Sequence, residues 1–149
     1  LKTIWDKLIF VLSLFGLGIS TYLSYKYLTH TTIACFGGEK GCDIVALSPY
    51  ASVFTIPVPL LGVAGYLLIF LLSLVRLFRG TSESQKNLAS QALFASSLMG
   101  TLYSFYLTYL ELFVIYAICT WCVASAVTMT LIFLLSLPLL KTSLIGRVL

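Results

Sequence analysis

The sequence predicts an all-α integral membrane protein, a four-transmembrane-helix bundle, and three observations carry that prediction. The 149 residues are 60% hydrophobic and only 9% charged, with a mean hydropathy of +1.05, which leaves too little polar surface to clothe a soluble globule. Four apolar stretches, at about 8–27, 57–78, 88–110 and 112–138, each reach the roughly 20 residues that a helix needs to cross a bilayer. None alternates strictly over the roughly 10-residue segments from which membrane β-barrels are built.

The first stretch is about twice as long as the roughly 7–15-residue apolar region of a signal peptide, and no small-residue cleavage site follows it, so it is expected to be retained. No linker, repeat or low-complexity tract divides the chain, which reads as a single membrane domain over 1–149. With the N-terminus in the cytoplasm, Lys2, Lys7, Arg76, Arg79, Lys86, Lys141 and Arg147 fall inside and only Lys26 and Lys40 outside. That asymmetry is the positive-inside pattern. It predicts a multi-pass protein of the cell inner membrane, with the 29–56 loop and a short turn at Glu111 on the periplasmic side. All four cysteines then lie on or near that side, where disulfides persist. The net charge of +4 sits on the inner loops, as insertion requires, and calls for no nucleic-acid partner.

Cys119-Thr120-Trp121-Cys122 lies near the outer end of the fourth stretch. Two cysteines at i and i+3 share one face of a helix and can close a strained, easily reduced disulfide. The positive end of a helix dipole favours the thiolate, more so for Cys119 than for Cys122. Cys35 and Cys42 stand in the outer loop, in Cys35-Phe-Gly-Gly-Glu-Lys-Gly-Cys42, where Gly37, Gly38 and Gly41 allow a sharp turn and movement. A mobile pair beside a fixed pair is suited to a thiol relay. Buried cysteines acting as small hydrophobes are the bland alternative for the helix pair. A static Cys35–Cys42 disulfide is another, and it leaves the helix pair unexplained. A four-cysteine zinc site is disfavoured without paired knuckles in soluble loops, so no metal is expected. Covalent haem is excluded because Val123, not histidine, follows Cys122.

A reduced pair in this position needs a two-electron acceptor that lives in lipid, and an isoprenoid quinone fits. Glu111 and His30 are a lone acid and a lone histidine at the outer boundary. Both read as interfacial residues, although a reduced quinone also needs a proton source. Trp121, Tyr103, Tyr106, Tyr109 and Tyr116 read as an interfacial aromatic belt in preference to quinone-stacking groups. A non-enzymatic membrane scaffold with incidental thiols or a structural disulfide would tolerate replacement of every cysteine. A transporter would leave ionisable residues or interrupted helices within its spans, and these spans contain almost none.

The order of parts resembles the vitamin K epoxide reductase family, in its bacterial disulfide-forming branch. The resemblance spans nearly the whole chain and rests on five features. These are a first span, an outer loop with a spaced cysteine pair, the Ser48-Pro49-Tyr50-Ala51 run six residues beyond Cys42, Ile56-Pro57-Val58-Pro59 leading into the second span, and the C-x-x-C of the fourth.

The resemblance implies a quinone pocket within the bundle at the outer membrane boundary, capped by a short helix after Cys42 in the periplasmic loop between helices 1 and 2. It implies that Cys122 faces the quinone, ubiquinone or menaquinone, with Cys119 as its partner. Cys42 would exchange with Cys119, and Cys35 would meet a thioredoxin-like periplasmic oxidoreductase or substrate thiols. Ser48 falls where the family has a serine needed for activity and quinone binding; it also suits a helix N-cap before Pro49 at N1. Vertebrate members bind the vitamin K headgroup with a tyrosine four residues after the second C-x-x-C cysteine and an asparagine early in the second span. Ala126 and the apolar 57–61 stretch stand there, which points to plain quinone reduction rather than epoxide reduction. Bacterial members often continue through a fifth span into a thioredoxin-like domain, whereas only about eleven residues follow Pro138. If the protein ends there, its partner is a separate chain. The rival, a DsbB-type quinone-linked thiol oxidase, carries C-x-x-C after its first span and its second pair in a long loop between spans three and four. That layout does not fit this sequence.

Overall fold

Inside lipid every backbone N–H and C=O must be satisfied within the protein, so long apolar runs are expected to span as helices. The computed structural model describes residues 2–36, 40–78 and 80–148. Its elements in chain order are α1 (Lys2–Leu28), α2 (Gly41–Leu47), a 3-10 turn (Pro49–Ala51), β1 (Ser52–Val53), β2 (Ile56–Pro57), α3 (Val58–Leu77), α4 (Glu83–Leu110), a π-helical turn (Glu111–Ile115) and α5 (Thr120–Val148). Four helices are long and apolar enough to cross a membrane. α1 lies against α3 and α5, and α4 lies against the same two, which closes the four into the expected bundle. The short α2 caps one end, and the antiparallel β1–β2 hairpin, pairing Ser52 with Pro57 and Val53 with Ile56, leads the chain into α3.

The helix starts follow local chemistry. Pro57 occupies the N-cap of α3 and Pro59 its first turn, where a missing N–H costs nothing. Ser82 and Gln85 form a reciprocal capping box on α4, each side chain accepting the other's backbone N–H at 3.4 Å.

The centre of the bundle is an apolar cluster of Ile9, Tyr66, Ile69, Leu93, Met129, Ile132 and Leu139. Small residues let the helices approach closely, as membrane helices require when lipid is as apolar as leucine. Gly16 lies under the ring of Tyr66, where a Cβ would overlap it. Buried Ser97 and Ser136 return their hydroxyls to their own helices, at 3.0 Å to Phe94 O and 2.6 Å to Phe133 O, and meet each other at 3.4 Å between α4 and α5.

Several boundaries differ from those read in the sequence. The third and fourth spans do not meet at Glu111, because α4 continues into the π-helical turn and Tyr116 then reverses the chain in the left-handed region at φ 54°. α5 starts only at Thr120. A charged residue in an apolar run looks like a break, but the Glu111 side chain is buried and bonded, so nothing forces the helix to stop there. α5 also runs past Pro138 to Val148, since neighbouring helices hold a proline-containing span together. The Thr142 hydroxyl takes the Pro138 carbonyl at 2.9 Å. α1 and α4 begin earlier than their apolar cores, with polar first turns at the end away from the cysteines.

That end is tied by an ion pair. Arg76 of α3 reaches Asp6 of α1 at 2.7 Å, with both side chains only 10–11% exposed. It also donates to the Lys86 carbonyl at 3.2 Å and to the Ser90 hydroxyl, both on α4. Removing one partner of a buried pair strands the other charge, at a cost of about 3–5 kcal/mol, whereas removing both is nearly neutral. Asp6→Ala is therefore expected to destabilise the bundle by about 3 kcal/mol, read from denaturant unfolding in detergent. Asp6→Ala with Arg76→Met should recover most of the loss. An unchanged unfolding midpoint for Asp6→Ala alone would show that the clamp contributes nothing.

Candidate active site

The start of α5 sets the position of two sulfurs. Cys119 immediately precedes the helix and its carbonyl accepts the first helical bond, from Val123 N–H at 3.0 Å. Its sulfur accepts the Cys122 N–H at 3.3 Å, taking the part that a serine oxygen plays at an ordinary N-cap. Both thiols are free, Cys119 fully buried and Cys122 half-buried. A hydrogen bond from the Cys122 thiol holds the Cys119 thiol below its ordinary pKa. Burial opposes that effect, the Cys122 N–H supports it, the Glu111 charge opposes it and the Trp121 N–H supports it. The expected advantage of Cys119 at the helix start thus has a local form in first-turn N–H groups and a neighbouring thiol.

Glu111 is not the interfacial residue that its place in the sequence suggested. Only 4% of it is exposed, and its Oε2 accepts the Cys119 N–H at 3.0 Å. The same carboxylate lies against the Cys122 thiol. Its backbone carbonyl takes the N–H groups of Tyr116 and Ala117 as the chain turns. Sequence reasoning left this residue out of the site, although the signal was present as one acid inside an apolar run, eight residues before Cys119. His30 is exposed in the turn that follows α1, with φ 51°.

The loop brings the other two sulfurs to the same place. Cys35 and Cys42 form a disulfide with a Cα–Cα distance of 5.9 Å, and the Cys42 N–H points at the Cys35 sulfur at 3.2 Å. The loop is anchored where free movement was expected. Ile33 N–H bonds Asp43 Oδ1 at 2.7 Å, Phe36 N–H bonds the Thr120 hydroxyl at 3.3 Å, and the Trp121 indole N–H bonds the Ala34 carbonyl at 2.7 Å. Gly37 and Gly38, read as hinges, lie outside the described residues. Gly41 serves for close approach, because a Cβ there would strike the Ile118 carbonyl oxygen. Cys42 and Cys119, each 1% exposed, therefore share one buried cluster with Ile19, Leu23 and Ile33, and Cys35 and Cys122 lie against it. The Cys42 sulfur is 3.8 Å from the Thr120 hydroxyl.

Trp121 belongs to this cluster and not to an interfacial belt. Its ring lies 5.4 Å from Tyr22 and 5.9 Å from Phe36. Tyr106, Tyr109 and Tyr116 are exposed, as a belt requires. Tyr103 turns inward, and its hydroxyl is buried without a hydrogen-bond partner among the described residues.

Two cavities meet at the Cys122 thiol and Glu111. One of about 70 Å³ lies under α2, walled by Cys42, Val45, Ala46, Glu111, Cys119 and Cys122. The other, of about 610 Å³, runs among the four long helices past Tyr66, Tyr103, Glu111, Cys122, Ser125 and Ala126. Its volume lies in the roughly 300–1,000 Å³ range of small-molecule sites, and its few polar groups stand in largely apolar walls. Those walls and the unpartnered Tyr103 hydroxyl fit a quinone headgroup with a hydrocarbon tail. Ala126 lies in this wall. Ser48 does not line either cavity, although its neighbours Tyr50 and Ala51 line the smaller one. The Ser48 hydroxyl bonds back to Val45 O at 2.7 Å, so it closes the end of α2 and makes no side-chain cap for the 3-10 turn.

The depressed thiol gives a direct test. With the Cys35–Cys42 disulfide intact, alkylation of Cys119 should proceed at a lower pH than for an ordinary thiol, because a lowered pKa keeps the thiolate populated further into acid. Cys122→Ala removes the largest cause, so the midpoint of the rate–pH profile should rise. Mass spectrometry of the alkylated peptide reads both profiles, and coincident midpoints would refute the assignment.

No curated protein matches the chain. The profile of the vitamin K epoxide reductase family matches residues 7–137. That interval runs from the first turns of α1, through the loop disulfide and the cysteine pair of α5, to the last third of α5. A match of that extent takes in most of each of the four long helices and all four cysteines, and the chain belongs to the vitamin K epoxide reductase family of membrane oxidoreductases.

Proposed function

We propose that this protein is a quinone-dependent thiol oxidase that drives disulfide formation. Electrons enter at Cys35 from a thioredoxin-like partner or substrate thiols, pass from Cys42 to Cys119, and leave from Cys122 to a quinone in the bundle cavity. The observation that carries this reading is the position of Cys122, which belongs to the buried sulfur cluster on one side and lines the 610 Å³ cavity on the other. An oxidised loop pair next to a reduced helix pair is one stage of such a relay. Half-buried Cys35 is more accessible than Cys42, which favours it as the sulfur that meets the outside donor.

The chain's own residues account for much of the chemistry. Thiol–disulfide exchange needs a thiolate, a disulfide sulfur and a near-linear approach. The Cys119 thiol is depressed, and α2 carries Cys42 to it with little space to spare. α2 and the 3-10 turn line the smaller cavity through Val45, Ala46, Tyr50 and Ala51. Ser48 supports that wall by fixing the α2 terminus, and Ala126 leaves room for the quinone where vertebrate members have a tyrosine. Quinone supplies the two-electron sink. Lys7, Arg76, Lys86, Lys141 and Arg147 fall at the end away from the cysteines, which supports an inner-membrane protein with its N-terminus in the cytoplasm and its sulfurs in the periplasm.

Purified protein given a reduced thioredoxin-like donor should reduce quinone, and Cys122→Ala should fall to the uncatalysed background. Cys35→Ala should lose turnover with the protein donor yet keep it with a small dithiol that reaches Cys119–Cys122 directly. Equal quinone reduction by wild type and Cys122→Ala would sink the relay. Gly41→Ala should slow the Cys42-to-Cys119 transfer by about 10- to 100-fold, since displacement of a reacting group by about an ångström costs that much. Rapid-quench trapping of the helix pair measures this step, and a wild-type rate would show that the close approach is not needed.

A further inference from the structure

We infer that Glu111 is a catalytic residue, the base that takes the Cys122 thiol proton and delivers it to the quinone oxygen. The inference rests on the thiol-oxidase reading above and assigns the proton path that reading leaves open.

Three observations converge on it. Glu111 is buried where nothing requires an acid for solubility, and it is the one Asp, Glu, Lys or Arg in the sequence between Lys86 and Lys141. Its carboxylate touches both residues of the helix pair, the Cys119 backbone N–H at 3.0 Å and the Cys122 thiol. It also lines both cavities, so one side chain spans the sulfur cluster and the space assigned to the quinone. Oε2 is occupied by the Cys119 N–H, which fixes the carboxylate plane and leaves the second oxygen for proton exchange.

The Cys122 thiol has two acceptors, the Cys119 sulfur and the Glu111 carboxylate. Rotation about its Cβ–Sγ bond moves the proton from the first to the second. The S–H bond of Cys122 then breaks, a carboxyl O–H forms on Glu111, and the freed electron pair forms a sulfur–quinone bond. Glu111 passes that proton to the quinone oxygen and returns to carboxylate. The Cys119 thiolate attacks the Cys122 sulfur, forming the disulfide and breaking the sulfur–quinone bond, whose electron pair stays on the hydroquinone. The proton that Cys119 released on ionising is matched by one taken from water. Two electrons and two protons leave the dithiol, and one disulfide and one hydroquinone result.

Glu111→Gln keeps the volume and an oxygen for the Cys119 N–H but cannot carry a proton. General acid–base catalysis contributes about 10²–10⁴-fold. The kcat for quinone reduction should therefore fall about 100-fold or more, while Cys42-to-Cys119 exchange should not slow, because loss of the Glu111 charge favours the Cys119 thiolate. A readout without quinone is the S–H stretch of Cys122 in reduced protein, seen by infrared spectroscopy, which should shift in Glu111→Gln. Formate should restore part of the activity of Glu111→Ala. Wild-type kcat in Glu111→Gln, or an unmoved S–H band, would overturn the assignment to Glu111 while leaving the relay standing. Failure of wild type to reduce quinone would instead remove the thiol-oxidase reading on which it rests. If Glu111→Gln does not fold, single-turnover oxidation of pre-reduced wild type decides: slowing in deuterium oxide supports the proton path, and an unchanged rate overturns it.

Discussion

The hydrogen bond from the Cys119 N–H to Glu111 joins the end of one membrane helix to the start of the next. The first N–H groups of a helix have no partner within it, and an unmet one in a water-poor setting costs on the order of several kcal/mol. A carboxylate in the same setting is also expensive unless it is bonded. Each group answers the need of the other. Between them the chain leaves α4 through a π-helical turn, reverses at Tyr116 and begins α5 within nine residues. The positions of Cys119 and Cys122, and hence the meeting point of the two cavities, follow from that bond.

The loop depends on the same corner of the fold. Ile118, one residue before Cys119, offers the carbonyl that leaves room only for glycine at position 41. Thr120 and Trp121, between the two helix cysteines, bind the loop backbone at Phe36 and Ala34. The two residues inside the C-x-x-C motif are therefore the dock for the other disulfide, in addition to being its spacer. The docking of the loop and the proposed redox pair are built from the same four consecutive residues.

The spans, the bundle and the location of all four cysteines were legible because apolar length and cysteine spacing are local properties of the sequence. The burial of Glu111 was not. Its partner is eight residues away across a turn whose π-helical form has no strong sequence signal, and a lone acid beside aromatic residues reads as interfacial. Trp121 was misjudged for a similar reason: tryptophan near a membrane boundary has a strong general preference, and only the folded loop shows that its N–H is taken by Ala34. Pro138 looked like an end because proline ends helices in water, whereas neighbouring helices carry α5 through it. Gly41 was correctly singled out, for a turn, but serves to admit a carbonyl oxygen.

The anchoring of the loop bears on how fast the internal hand-off can be. A swinging arm would be governed by backbone rearrangement, which takes nanoseconds to microseconds, and would expose reactive sulfur on each cycle. With Cys42 and Cys119 already enclosed in one cluster, the proposed exchange would need side-chain rotation within a nearly fixed frame. In the proposed relay the slow events are then pushed to the two ends of the wire, docking of a donor at Cys35 and exchange of a lipid-borne acceptor.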